Sequence, residues 1–195
     1  MRVIAGKARR LRLATLDGPD VRPTTDIIKE TLFNMLNIYV PGSRFLDIFA
    51  GSGGIGIEAL SRGAKECVFI ERDRRCQNII LGNLQHCHLE EDAELLKTDF
   101  MAGLHELDRR GEPFDIIFMD PPYMHDLEQK ALDFLDGSSL IGPDTVVIAE
   151  ASISTVIDDS GFRRLQIDRE TIYKTNKHIF LSVKEQDHED EEDQK

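Results

Sequence analysis

No apolar run in this sequence approaches the roughly 20 residues that a membrane-spanning helix needs, so a protein that crosses a bilayer by helices is excluded. The N-terminal MRVIAGKARRLRL has no apolar core and no small-residue cleavage site, unlike a secretory leader. Cysteine occurs three times, at Cys67, Cys76 and Cys87, an odd number without CxxC spacing. That argues against a disulfide framework and for reduced thiols in a cytoplasmic protein. No internal repeat is present, and no Ser-His-Asp arrangement of a hydrolase can be read. His86-Cys87-His88 near Cys76 lacks metal-site spacing, and Cys76, Ile80, Leu84 and Cys87 fall on one helical stripe. Buried thiols explain this group, and no metal is expected.

What is present is a 195-residue chain, long enough for one domain with a full core. Its net charge of −12 is unevenly placed. Residues 185–195 carry seven acids against one lysine and no apolar residue, the composition of a disordered tail. Residues 1–12 carry Arg2, Lys7, Arg9, Arg10 and Arg12 and no acid. A local basic arm can neutralise phosphates even on an acidic chain. The expected organisation is a basic arm or hairpin over residues 1–24, turning near Asp17-Gly18-Pro19, a catalytic domain over 25–184, and the acidic tail.

Thr24, Thr25 and Asp26 are helix starters, and Ile28, Leu32, Met35 and Leu36 follow with helical spacing. Strands are expected at 45–49, 67–71, 94–98, 114–119, 145–149, 163–168 and 178–183. Helices are expected at 54–62, 75–86, 101–107 and 127–135. The alternation implies an α/β fold with a mainly parallel sheet covered on both faces. Ligands bind such sheets at the carboxyl ends of the strands.

The first of these strands runs into Asp47-Ile48-Phe49-Ala50-Gly51-Ser52-Gly53-Gly54-Ile55-Gly56, in which Gly51, Gly53 and Gly56 satisfy GxGxxG. Glu71 ends the next strand, where a ribose-binding acid belongs. A nicotinamide dehydrogenase would share both features. Asp47 tips the balance, because a pyrophosphate there would meet a carboxylate at close range. S-adenosyl-L-methionine has no phosphate and carries an ammonium and a sulfonium. Asp99, after the third strand, could accept from the adenine amine or cap a helix.

The fourth strand runs into Asp120-Pro121-Pro122-Tyr123. An exocyclic amine on a base is a poor nucleophile, because its lone pair is delocalised into the ring. The Asp120 carboxylate and the Pro121 carbonyl can take its two N–H groups and aim the nitrogen at a methyl group. The prolines stiffen the loop, and Tyr123 offers a ring on which a base can stack. His125 and Asp126 read as the cap of the following helix.

These motifs resemble class I methyltransferases that act on amino groups, and their order in a short chain resembles the RsmD family, bacterial 16S rRNA guanine-N2-methyltransferases. Three stretches carry the resemblance: Arg22-Pro23-Thr24-Thr25-Asp26 through Lys29-Glu30-Thr31-Leu32-Phe33-Asn34; Leu46-Asp47 through Gly53 with Glu58-Ala59-Leu60-Ser61-Arg62-Gly63; and Asp120-Pro121-Pro122-Tyr123. The resemblance implies a Rossmann-like sheet of seven strands with the last antiparallel, and an N-terminal hairpin that helps hold RNA. It implies S-adenosylmethionine held by Asp47, Phe49, Ala50, Gly51, Ser52, Gly53, Glu71, Arg72, Asp99, Phe100 and Thr25. It implies catalysis by Asp120, Pro121 and Tyr123, and 16S rRNA of the small ribosomal subunit held by Arg9, Arg10, Arg12, Arg22, Pro122 and Tyr123. One departure is that the family's hairpin has a Gly-Arg pair where this chain has Arg10-Leu11. The alternatives are a DNA adenine-N6 methyltransferase, for which the chain has no target-recognition domain, a protein-glutamine methyltransferase, which usually carries Asn at position 120, and a non-catalytic RNA-binding assembly factor.

Overall fold

The computed structural model describes residues 1–16, 26–122 and 126–185. The turn expected near Asp17-Gly18-Pro19, the Arg22–Thr25 stretch, Tyr123, His125 and nearly all of the acidic tail therefore lie outside the described residues. The strands are β1 (Arg44–Asp47), β2 (Glu66–Ile70), β3 (Ala93–Leu96), β4 (Phe114–Met119), β5 (Ile141–Ser152), β6 (Leu165–Ile172) and β7 (Asn176–Val183). The helices are α1 (Asp26–Met35), α2 (Gly54–Ser61), α3 (Arg74–Cys87), α4 (Phe100–Arg110) and α5 (Leu127–Asp136). They form one seven-stranded sheet in the order β3-β2-β1-β4-β5-β7-β6, in which β7 is the reversed strand. One core, on the face that carries Phe45, Phe118, Ile148 and Phe180, packs against α1, α2 and α3. The other, built on Leu46, Ile117, Val147 and Leu181, packs against α4 and α5. The order reverses between β1 and β4, so a crevice opens beyond Asp47 and Met119.

Several element boundaries differ from the sequence expectation, each for a local reason. β5 starts at Ile141, not near 145, because a bulge opposite Phe114 to Ile116 absorbs Gly142-Pro143. Thr145 Oγ1 closes that bulge, donating to Phe114 O at 2.6 Å and accepting from Gly142 N at 2.8 Å. β6 starts at Leu165, not 163, because the Arg163 and Arg164 amides donate to the Asp136 carboxylate at 2.9 and 2.8 Å. β3 stops at Leu96, whose carbonyl accepts from Glu71 N.

The N-terminal segment is not a free arm. It folds back on itself, with an Arg2–Arg12 bridge and Val3 N donating to Leu11 O at 2.9 Å, and buries Val3, Ala8 and Leu13 in the core. Arg10 takes a left-handed backbone, φ 73°. The segment is fastened to α2. Glu58, fully buried, accepts from Ile4 N at 2.8 Å, Ala5 N at 3.0 Å, Lys29 Nζ at 3.1 Å and Arg62 Nε at 2.8 Å. Ser61 Oγ accepts from Ala8 N at 2.9 Å and donates to Ala5 O at 2.6 Å. Gly6, at φ +82°, passes so close to α2 that a Cβ there would lie 1.7 Å from Ser61 O. The buried stripe of α1 is accordingly Lys29, Leu32 and Phe33, with Leu36 just beyond, and Ile28 and Met35 are only partly buried. Burial lowers the Lys29 pKa, and Glu58 opposes that shift.

Glu58→Ala should therefore lower stability by about 3–5 kcal/mol, because it leaves two arm amides without their acceptor and the buried Lys29 ammonium with only the Arg2 carbonyl, at 2.6 Å, and no counter-charge. Urea unfolding measures this. Lys29→Met combined with Glu58→Gln removes both charges at similar volume and should recover much of the loss. A cost below about 1 kcal/mol for Glu58→Ala would mean that the pair does not hold the segment.

Candidate active site

The loop after β1 is shaped by its hydrogen bonds. Gly51 and Gly53 have φ 54° and 78°, a left-handed backbone that side chains disfavour. Gly51 N donates to Glu71 Oε2 at 2.8 Å, and Asp73 N donates to Glu71 Oε1 at 2.7 Å. Glu71 is thus fixed at the end of β2 against the glycine loop. Asp47 Oδ2 accepts from Gly56 N at 3.1 Å. Gly56 has a packing role, since a Cβ there would lie 2.3 Å from the Phe69 ring. A Cβ on Gly54 would lie 2.2 Å from Met1 Sδ, so the N-terminal residue sits directly on the start of α2. Asn83 of α3 joins the two segments, its Nδ2 donating to both Ser52 O and Ala14 O at 3.0 Å.

These elements enclose a cavity of about 750 Å³ at the carboxyl ends of the strands. Asp47, Phe49, Ala50, Gly51, Ser52, Glu71, Arg72, Asp99, Phe100, Asp120, Pro121 and Pro122, all expected site residues, line it. Gly53 shapes the loop without lining the cavity. Phe49 and Phe100 meet with ring centroids 4.9 Å apart and form an apolar wall. Asp99 caps α4, its Oδ1 accepting from Met101 N at 3.0 Å, while its side chain also borders the cavity. Arg9, Arg10 and Arg12 are exposed outside the cavity and form no ion pair among the described residues. Arg9 and Arg10 border a separate depression with Arg2, Asp26 and Glu30. Among the described residues no group of His, Cys, Asp and Glu is arranged to hold a metal ion, and no helix is long and apolar enough to cross a membrane.

The cavity also contains residues that sequence reasoning missed. Glu150 ends the inner part of β5 one residue beyond the Met119–Ala149 pair, and so stands beside Asp120. Asn176, at the start of β7, lines the same wall. Glu150 Oε1 accepts from Asn176 Nδ2 at 2.5 Å, and Glu150 Oε2 lies 3.2 Å from His178 Nε2. The one available signal was the polar Asn176-Lys177-His178 run opening an apolar strand.

The ionisable acidic and basic side chains lining the cavity are Asp47, Glu71, Asp73, Asp99, Asp120 and Glu150 against Arg72 alone among the described residues. Burial pushes Asp47 up to about 7, opposed by the Gly56 hydrogen bond and assisted by Glu71. Burial, and then the charges of Glu150, Asp47 and Glu128, hold Asp120 well above the usual carboxylate range. Such a cavity disfavours a pyrophosphate and favours a cationic ligand. S-adenosylmethionine fits it. Gly51 leaves open space at the loop, and each Glu71 carboxylate oxygen accepts a single hydrogen bond among the described residues.

The raised Asp47 has a consequence for stability. Its carboxyl keeps its proton to about pH 7 in the folded state but loses it near pH 4 when unfolded. Its contribution is thus full below pH 4 and is lost as pH rises through about 7. Asp120 acts in the same direction. Asp47→Asn keeps an acceptor for Gly56 and cannot ionise. The wild type should lose roughly 2–3 kcal/mol more than Asp47→Asn between pH 5 and pH 8 in urea unfolding without ligand. Equal pH slopes would show that Asp47 ionises normally.

Comparison with known proteins agrees with this architecture. The family described as Conserved hypothetical protein 95 matches residues 1–181. Ribosomal RNA small subunit methyltransferase D of Haemophilus influenzae is 38% identical over 151 residues, 77% of this chain and 78% of the relative. A solved structure of a hypothetical protein of Thermus thermophilus superposes with a TM-score of 0.81 at 28% identity, covering 94% of this chain and 99% of that one. An O-methyltransferase of Bacillus cereus, solved in complex with SAH, shares the fold with a TM-score of 0.69 at 17% identity over 83% of this chain and 82% of its own. The chain belongs to the Conserved hypothetical protein 95 family, the RsmD family of S-adenosylmethionine-dependent methyltransferases.

Proposed function

We propose that this protein methylates the exocyclic N2 of a guanine in the 16S rRNA of the small ribosomal subunit, in the cytoplasm. The observation that carries this reading is the position of Asp120 and Pro121 at the end of β4, in the same cavity as Asp47, Gly51 and Glu71. The printed name of the Haemophilus relative supports small-subunit rRNA as the substrate. When bound, S-adenosylmethionine supplies an electrophilic methyl group. Asp47, the glycine loop, Glu71 and the Phe49–Phe100 wall bind and orient it, as Thr25 does on the family resemblance. The Asp120 carboxyl oxygen and the Pro121 carbonyl accept the two N–H groups of the target amine and turn its nitrogen toward the methyl carbon. Tyr123 stacks on the base beside Pro122. Arg9, Arg10, Arg12 and Arg22 neutralise phosphates of the RNA. Mapping methylated nucleotides in rRNA from cells with and without the protein tests the reading. Loss of one N2-methylguanine from 16S rRNA is the expected result, and an unchanged rRNA overturns it.

Asp120→Ala should lower single-turnover methylation on the order of 10²-fold to 10³-fold with little change in cofactor affinity. Asp120→Asn keeps an acceptor oxygen and should retain more activity than Asp120→Ala if hydrogen bonding dominates. Wild-type rates in Asp120→Ala would remove the residue from the mechanism.

Deleting the basic segment would confound RNA binding with folding, because Val3, Ala8 and Leu13 are core residues. Replacing Arg9, Arg10 and Arg12 together by Ala avoids this. Affinity for small-subunit particles should fall, and the logarithmic salt slope should shrink by about 1 for each phosphate no longer neutralised, at unchanged melting temperature. Unchanged affinity and slope would assign those arginines no part in holding RNA.

A further inference from the structure

Beyond Asp120 the acceptors that the cavity wall presents, among the described residues, are the Glu150 carboxyl and Asn176 Oδ1. Asp120, the residue after β4, and Glu150 of β5 each follow the Met119–Ala149 pair and so stand side by side, and Glu150 pairs in register with His178 of β7. Paired positions on neighbouring strands share a face, so the three form a row running away from the glycine loop. Glu150 is 4% exposed and rigidly held by Asn176 Nδ2 at 2.5 Å and His178 Nε2 at 3.2 Å. His178, itself fully buried, is fixed in turn by the Tyr173 hydroxyl, 3.1 Å from its Nδ1. Asn176, His178 and Tyr173 thus orient one carboxylate beside the catalytic acid. Each carboxylate oxygen retains a lone-pair direction after its single hydrogen bond. The amide of Asn176 is fixed by chemistry, because turning its oxygen toward Glu150 would oppose two acceptors. That leaves Asn176 Oδ1 buried, in a residue 4% exposed that lines the cavity, without a partner among the described residues. A buried orphan acceptor is rare in folded proteins and marks a place where a donor is expected.

Guanine carries two neighbouring donors on one edge, the N2 amino group and N1–H. With the amine on Asp120 and Pro121 and the N1 edge turned toward β5, N1–H would meet the row of acceptors. Adenine and cytosine place a bare ring nitrogen beside their amine, and that nitrogen would meet a carboxylate. We infer that Glu150, positioned by Asn176 and His178, is the specificity-determining acceptor that reads N1–H of the target purine. The inference rests on guanine N2 being the methylated atom and goes further, by naming the residue that selects the base.

The test uses small-subunit particles carrying either guanine or 2-aminopurine at the mapped target. 2-Aminopurine keeps the amino group but has a bare N1. The wild type should prefer guanine in kcat/KM by about 10-fold or more, since a site built to bond an N–H rejects the analogue lacking it. Glu150→Gln should narrow the ratio, lowering the guanine rate while its amide donates to the bare N1. Asn176→Ala, which leaves the carboxylate but removes its anchor, should narrow it partially and guards against misfolding of Glu150→Gln. A role in folding alone would lower both rates equally. Equal wild-type rates on the two particles, or variants with an unchanged ratio, overturn the inference while the guanine reading stands. A wild type inactive on the guanine particle overturns that reading, and the inference with it.

Discussion

A single buried carboxylate organises the half of the molecule that faces the cofactor. Glu58 lies in the middle of α2, fully buried, and its two oxygens serve four donors from three different segments. Each donor would be costly to bury alone, and the lysine most of all. Together they lock the N-terminal segment, α1 and α2 into one block. The cavity inherits its outer wall from that block. Met1 rests on Gly54, and Thr15, Leu16 and Ile28 line the opening opposite Asp47. The hairpin that carries the exposed arginines is thus held by the same charge pair that closes the cofactor site.

The sheet then decides where chemistry can occur. β1 and β4 are neighbours whose following loops leave in opposite directions, so the crevice between them is the natural binding place. The glycine loop leaves β1, Asp120-Pro121 leaves β4, and Glu150 continues the line on β5. Burying carboxyls in this space is unfavourable to their charged forms, and neighbouring acids add to the effect, so Asp47 and Asp120 are displaced upward. Without a ligand that cost is relieved by keeping a proton, and a cation or a set of N–H donors would relieve it in the ionised form, so the site is electrostatically tuned to such ligands.

Much of the site was legible because its chemistry is written locally. Asp47, Gly51 and Glu71 each follow an apolar strand at a fixed offset, and Asp120-Pro121-Pro122 does the same two strands later. The residues that escaped notice act through long-range register. Glu150 looks like one more acid in an apolar strand until β5 is aligned on β4, and Asn176 reaches it only because β7 runs backwards along β5. Lys29 was hidden for a different reason. Helical spacing of apolar residues pointed to Ile28 and Met35, and a lysine on the buried face violates that pattern unless its partner on α2 is known. β5 was expected only from 145, because the bulge that carries Gly142-Pro143 within the strand is closed by Thr145 against β4, a contact across strands.

The same physics explains how the hairpin tolerates a strained residue without losing its place. Arg10 occupies a left-handed backbone that glycine adopts freely and that costs a side chain on the order of 1 kcal/mol. The fold tolerates this because Arg10 N donates to Val3 O at 2.9 Å and the neighbouring Ala8 is buried and bonded to Ser61. The backbone course is over-determined by the anchors on either side. An exposed arginine is thereby held on a rigid turn, where its charge is presented at little further entropic cost on meeting a phosphate. A positive charge thus sits at a strained position of the turn, at a cost that the anchors on Glu58 and Ser61 offset.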